Sequence, residues 1–197
     1  MKPFKRRRRG GLHATFEPGE AHVIANLAAQ VVELLRDRHG ESQSDPDPLV
    51  SQLGLSGPLL PPDDPVLQRL LPDAYTDDED DAAEFRRFTE QSLTSAKVAN
   101  AEALIASLVA GGMEDDLERQ GEEEQVVEVE LDDAAVQAWL RSLTDIRLAL
   151  SVRLGIETDE DSLLVHESED ESTVAVAEIY DWLGFVQETL IGALDQR

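Results

Sequence analysis

The stretch LDDAAVQAWLRSLTDIRLALSVRLG, residues 131–155, constrains the fold more than any other part of the chain. Val136, Trp139, Leu140, Leu143, Ile146, Leu150 and Leu154 recur at steps of three and four. That spacing lays a wide apolar stripe along a helix of about six turns. Leu148 and Val152 widen the stripe, so neighbours are expected on more than one side. Asp132 or Asp133 supplies a capping oxygen, and Gly155 stops the helix. A chain organised around such an element is expected to be mainly α, a single-domain helical bundle.

Three more long or medium helices are expected around it. In the first, Ile24, Leu27, Ala28, Val31, Leu34 and Leu35 share one face, with Pro18 in the first turn and Gly40 as the stop. The longest is expected over 79–110, opened by the acids of 77–81 and closed by Gly111-Gly112. Its expected buried groups are Phe85, Phe88, Leu93, Leu104, Ile105, Leu108 and Val109. Ala96, Ala99, Ala103 and Ala106 leave a shallow side for a close neighbour. The last helix runs over about 172–194 with Val176, Ile179, Leu183, Val186, Leu190 and Leu194 on one face; Gly184 in its middle marks a close crossing.

Seven of the nine prolines fall between Pro46 and Pro72. Asp-Pro pairs there predict two short helices, near 48–53 and 65–71, in a connector packed by Leu49, Leu53, Leu67, Leu70 and Leu71. Two segments alternate with a period of two, LHATFE from Leu12 and VVEVEL from Val126, and predict a small two-stranded antiparallel ribbon. Such a ribbon is marginal alone and must lie on the helices. The domain is expected over 11–197, preceded by a basic mobile arm over 1–10, with acidic loops near 114–124 and 157–171.

Charge limits the possible partners. Seventeen basic residues stand against 42 acidic ones, for a formal net charge of −25. Lys2, Lys5, Arg6, Arg7, Arg8 and Arg9 concentrate six cations at the N-terminus, and the remaining body stands at −31. Such a body repels nucleic acid and anionic membranes over about 8 Å in physiological salt. Those six residues are the candidate contact for nucleic acid or an acidic partner. The competing reading folds the arm back onto its own acidic surface. No cysteine is present, which excludes disulfides and thiolate metal sites within these residues. GGLHATFEPGE, not an apolar run, follows the basic start, and a soluble cytoplasmic protein is expected.

FRRFTE at 85–90, LTDIRLALSVRLGI at 143–156 and YDWLGFVQETL at 180–190, with LLPDAY at 70–75, resemble an actinobacterial family known as a domain of unknown function. Its genes often lie beside the one for the ClpS adaptor of the Clp protease, and some members are labelled transcriptional regulators. The resemblance runs from the strand near Leu12 to the last helix. The family has no agreed catalytic residues, so the resemblance assigns none to this chain.

His13, His22, His39 and His166 lack metal-ligand spacing, and the chain has no phosphate loop, nucleophile elbow or zinc motif. No metal or cofactor is assigned. Asp145, Arg147, Asp181 and Glu188, with Arg86, Arg87 and Gln187, form the better polar set. An acid–base site is one reading; a network fixing helix register is the favoured one, because a buried arginine needs a partner. Trp139 and Trp182 read as core or interface residues. The function expected is that of a non-catalytic cytoplasmic regulatory or adaptor-type interaction protein, linked to Clp-dependent proteolysis by the resemblance, with a protein partner and only weak nucleic-acid contact. The first alternative is a transcriptional regulator using the basic arm; an enzyme using the inter-helix carboxylates ranks last.

Overall fold

Burial at every second residue sets the sheet. In a computed structural model that describes residues 1–8, 10–42, 60–75, 77–113 and 126–195, Leu12, Ala14 and Phe16 of β2 (Leu12–Phe16) turn inward. Val127, Val129 and Leu131 of β3 (Val127–Leu131) do the same. The two strands pair antiparallel with Leu12 opposite Leu131 and Phe16 opposite Val127, the pairing that their alternation predicts.

The sheet has a third strand, which corrects the expected two-stranded ribbon and mobile arm. Residues Lys2–Arg6 form β1 and pair antiparallel with β2, in the order β1-β2-β3. The physical reason is Phe4, which is only 3% exposed while the cations around it face solvent. Its ring meets Phe16 edge-on at 6.0 Å and Trp139 edge-on at 5.5 Å. One large aromatic side chain thus docks a segment that its charges alone would leave free.

Six helices complete the described structure: α1 (Pro18–Ser42), α2 (Pro65–Leu70), α3 (Glu79–Ala110), α4 (Asp133–Leu154), α5 (Asp159–Val165) and α6 (Glu171–Asp195). The central stretch is α4, which packs against α1, α2, α3 and α6. Asp132 is its N-cap, accepting from Ala135 N, and Gly155 ends it in the left-handed conformation. Val136, Trp139, Leu143, Ile146 and Leu150 are buried as the stripe predicts, and Leu140 and Leu154 are half-buried. The Trp139 indole donates to Ser107 Oγ of α3 at 2.8 Å, so burying this large ring leaves no N–H unpaired.

The connector is packed where it is described. Asp64 caps α2 with Pro65 in the first turn, and Val66, Leu67, Leu70 and Leu71 are buried. The short helix expected near 48–53 and the acidic segment 114–124 lie outside the described residues. The expected loop over 157–171 contains α5, because Thr158 and Asp161 close a reciprocal capping box. Helix α1 continues two residues past Gly40, its expected stop.

Helix α3 has the expected bounds, but its N-terminal half buries a different face. Phe88, Leu93 and Val109 are exposed, whereas Ala82, Arg86, Glu90, Thr94, Ala101, Leu104 and Leu108 are buried. The alanine side at Ala96, Ala99, Ala103 and Ala106 is exposed too. The helix ends against β3, where Glu128 N donates to Gly111 O at 2.9 Å. A Cβ on Gly111 would lie 2.7 Å from Glu128 O, so that approach requires glycine. By length and composition alone, α3 is the one described helix long and apolar enough to cross a membrane; here it packs along α1 and α4.

Candidate interaction surfaces

The basic candidates lie on and just after β1. Lys2, Lys5, Arg6, Arg7 and Arg8 are exposed; Arg9 lies outside the described residues. Strand register places Lys5 opposite His13 and His13 opposite Glu130, and Lys2 opposite Thr15 and Thr15 opposite Glu128. Directly opposed residues share a face, so two rows each run from a cation to a carboxylate. Two strand spacings separate the row ends by roughly 10 Å, about one Debye length in physiological salt. Arg7 goes further and forms an ion pair with Glu130. A shallow cleft of about 410 Å³ lies over this face, lined by both signs of charge. The geometry matches an N-terminal segment folded onto its own acidic surface.

The inter-helix polar set does not converge. Asp145 of α4 meets Lys97 Nζ of α3 at 2.5 Å, with their side chains 8% and 16% exposed. Burial raises the Asp145 carboxyl above its usual range, and the hydrogen bond and charge of Lys97 oppose that rise. Arg147 instead faces α6: Nη1 donates to Gln187 Oε1 at 2.9 Å, and the guanidinium lies 5.0 Å from the Tyr180 ring centre. Gln187 Nε2 in turn donates to Thr144 Oγ1 at 2.8 Å. Asp181 pairs with His166 at 2.9 Å near the surface, and Glu188 is exposed. These residues join helices in separate places.

On α3, Arg86 is buried and lies 2.5 Å from Asp73, while Arg87 is half-buried with its guanidinium 6.0 Å from the Phe88 ring centre. The sequence reading missed Glu90, whose Oε1 accepts from Arg38 Nε at 2.9 Å, and Lys97. A signal for both was present. Arg86, Glu90, Thr94, Lys97, Ala101, Leu104 and Leu108 follow one another at steps of four and three, one continuous face whose first half is polar. Trp139 is core and Trp182 is half-buried against it. His22 Nδ1 sits 2.7 Å from Pro18 O. Among the described residues, no three of histidine, aspartate and glutamate are grouped as a metal site needs.

The comparisons agree with the extent of the resemblance. Relatives from Mycobacterium bovis and Mycobacterium tuberculosis, both named oxidative stress regulator AosR, are 30% identical over 187 residues, spanning 90% of this chain and 79% of theirs. A relative from Mycobacterium leprae, named putative oxidative stress regulator AosR, is 30% identical over 198 residues with the same coverage. No solved structure matches significantly. The family described as Domain of unknown function (DUF2017) matches residues 1–194, and this chain belongs to it.

Proposed function

We propose that the protein is a non-catalytic cytoplasmic regulator that acts by binding a protein partner. The observation that carries this reading is the outer face of α3. Phe88, Leu93 and Val109 are exposed there beside Ala96, Ala99, Ala103 and Ala106. From Gln91 to Ala110 the helix has only two charged residues. Lys97 turns inward to Asp145, and Glu102 is paired with Arg36. On a chain of net charge −25, an alanine-rich strip whose exposed charge, Glu102, is paired with Arg36 is, among the described residues, a surface on which a protein partner gains from burial and meets little repulsion.

The regulator names of the relatives support the general class. Their oxidative-stress label does not bring a thiol sensor with it, because these 197 residues contain no cysteine. A narrower form of the proposal, an adaptor-type role in Clp-dependent proteolysis, rests on the family resemblance. The cation-to-carboxylate rows of the sheet count against duplex DNA as the main partner.

Co-purification from an actinobacterial host tests the reading, with Leu93→Glu and Ala103→Glu combined in a second bait. The expected result is a stoichiometric protein partner on the parent chain that the folded double variant loses; the ClpS adaptor as that partner would support the narrower form. Recovery of nucleic acid in place of protein, or a partner indifferent to both substitutions, would overturn the proposal.

A further inference from the structure

The C-terminal part of the chain has a charge distribution of its own. From Ile156 to Asp195 it carries twelve acidic residues and no lysine or arginine. Five large apolar side chains, Leu163, Leu164, Phe185, Ile191 and Leu194, are nevertheless exposed along α5 and α6. His166 Nε2 meets Asp181 Oδ2 at 2.9 Å and ties the end of α5 to α6. Leu163 lies one turn before His166 and Phe185 one turn after Asp181, so the two apolar groups flank that contact. Helix α6 turns its inner side to α4 and β1, and this surface is built without α3.

Gly192 is the informative residue. It is exposed within α6, and a Cβ placed on it would meet nothing within 4 Å. Gly184 of the same helix leaves room for Arg147, but no neighbour among the described residues uses the space over Gly192. An exposed helical glycine costs about 1 kcal/mol relative to alanine. Phe185, Glu188, Gly192 and Asp195 follow one another at steps of three, four and three, and all four are exposed. The bare backbone is therefore a saddle, with a carboxylate about one turn to either side and an aromatic ring beyond one of them. Without a Cβ, another backbone can approach it closely.

We infer that the α5–α6 surface docks a basic amphipathic helix of a partner protein, its apolar side chains on Leu163 and Phe185, its lysines or arginines on Glu188 and Asp195, and its backbone over Gly192. Charge complementarity chooses the occupant. Apolar anchors alone would accept any hydrophobic segment; a surface with twelve acids and no lysine or arginine selects a cationic one and speeds its approach. A second copy docked through the same face would oppose like charges, and nucleic acid or an anionic membrane would be repelled. The chain's own basic segment is held in the sheet by Phe4. A helix suits the surface better than an extended strand, because α6 offers no free strand edge and its saddle accepts a ridge of side chains. This contact is additional to the α3 strip and does not depend on it.

Titration calorimetry of the full chain at physiological salt, with a leucine–lysine peptide of about five helical turns whose leucines share one face, tests the assignment. One peptide per chain is expected to bind, at least about tenfold more tightly than a scrambled peptide of the same composition, with no binding of its leucine–glutamate counterpart. Phe185→Ala and Gly192→Gln are each expected to weaken binding by about tenfold with the fold retained, since Gly192→Gln meets no neighbour. Glu188→Gln combined with Asp195→Asn is expected to weaken it by about tenfold as well. Glu33→Gln combined with Asp37→Asn removes the same charge from exposed positions on α1 and is expected to change affinity by no more than about twofold. Equal binding of the patterned and scrambled peptides, equal losses from the two acid pairs, binding unaffected by Gly192→Gln, or no binding at all would each overturn the inference. So would dimerisation of the chain alone that Gly192→Gln abolishes, because the occupant would then be a second copy.

Discussion

A Cβ placed on Gly184 of α6 would lie 3.4 Å from Arg147 Nη2 of α4. The two helices cross where one has no side chain and the other has its longest. The Arg147 guanidinium fills the space, stacks toward Tyr180 and bonds Gln187. The glycine that interrupts an otherwise good helix pattern is therefore explained by its neighbour across the crossing.

Gly184→Ala is expected to be tolerated. The added methyl meets the far end of a flexible side chain at ordinary contact distance, and helix propensity contributes up to about 1 kcal/mol in its favour. Gly184→Leu has to displace the guanidinium from Gln187 and Tyr180, and a loss of about 1 to 3 kcal/mol is expected. Urea denaturation of both variants checks this; equal stability of the two would remove the crossing as a constraint.

Leu143→Ala is expected to cost about 2 to 5 kcal/mol, because Leu143 is fully buried at the centre of α4 and its loss leaves a cavity in the core. Phe4→Ala is expected to cost about 3 to 5 kcal/mol, losing contacts with both Phe16 and Trp139. Thermal unfolding distinguishes a docked strand from a free arm: an unchanged melting temperature in Phe4→Ala would mean that β1 adds nothing to the core.

Lys97→Met tests the buried pair and has a pH signature. Removing Lys97 leaves the Asp145 carboxylate buried without its cation, and a loss of about 3 to 5 kcal/mol is expected near neutral pH. Burial already raises the folded-state carboxyl, and loss of Lys97 raises it further. An acid whose folded pKa lies above its unfolded value destabilises the fold above that folded pKa and is neutral in its effect below the unfolded one. The gap between variant and parent should therefore narrow as pH falls through the raised folded pKa of Asp145 toward its ordinary value near 3.8. A gap that stays constant from pH 7 to about 4 would show that lost packing, not charge, is responsible.

Where apolar residues face inward, the sequence was readable. The stripe from Val136 to Leu150, the alternation in β2 and β3, and the Asp64-Pro65 start of α2 all appear in the structure. Reading failed where ion pairs invert that rule. Arg86 and Glu90 are inside because Asp73 and Arg38 meet them; their spacing continues the face of Ala101, Leu104 and Leu108, but their charge reads as solvent-facing until those distant partners are known. Phe88 and Leu93 are outside for the same reason, since a helix has only one inward face to give. Strand β1 was missed because one phenylalanine among cations shows no period at all. The polar candidates were identified by type, but only the fold could show that Asp145, Arg147 and Asp181 each have a different partner.

The last prediction separates a cationic arm from a cationic strand. Six cations on a free arm contact up to about six phosphates, giving a slope of log K against log salt near −5 for duplex DNA. On the sheet, Lys2 and Lys5 share rows with Glu128 and Glu130, and Arg7 is held by Glu130. A duplex approaching those lysines meets carboxylates within about 10 Å, so about two phosphate contacts and a slope near −2 are expected. Binding should be independent of sequence and largely absent at physiological salt. Combining Lys2→Gln, Lys5→Gln and Arg8→Gln is expected to weaken what remains while leaving the melting temperature unchanged, because Phe4 still docks the strand. That variant is the better probe than deletion of residues 1–10, which would remove Phe4 and its cations together. Fluorescence anisotropy over a salt series provides the measurement. A slope near −5, with sequence-selective binding that survives physiological salt, would show that the strand releases its glutamates for DNA and would return the nucleic-acid reading to first place.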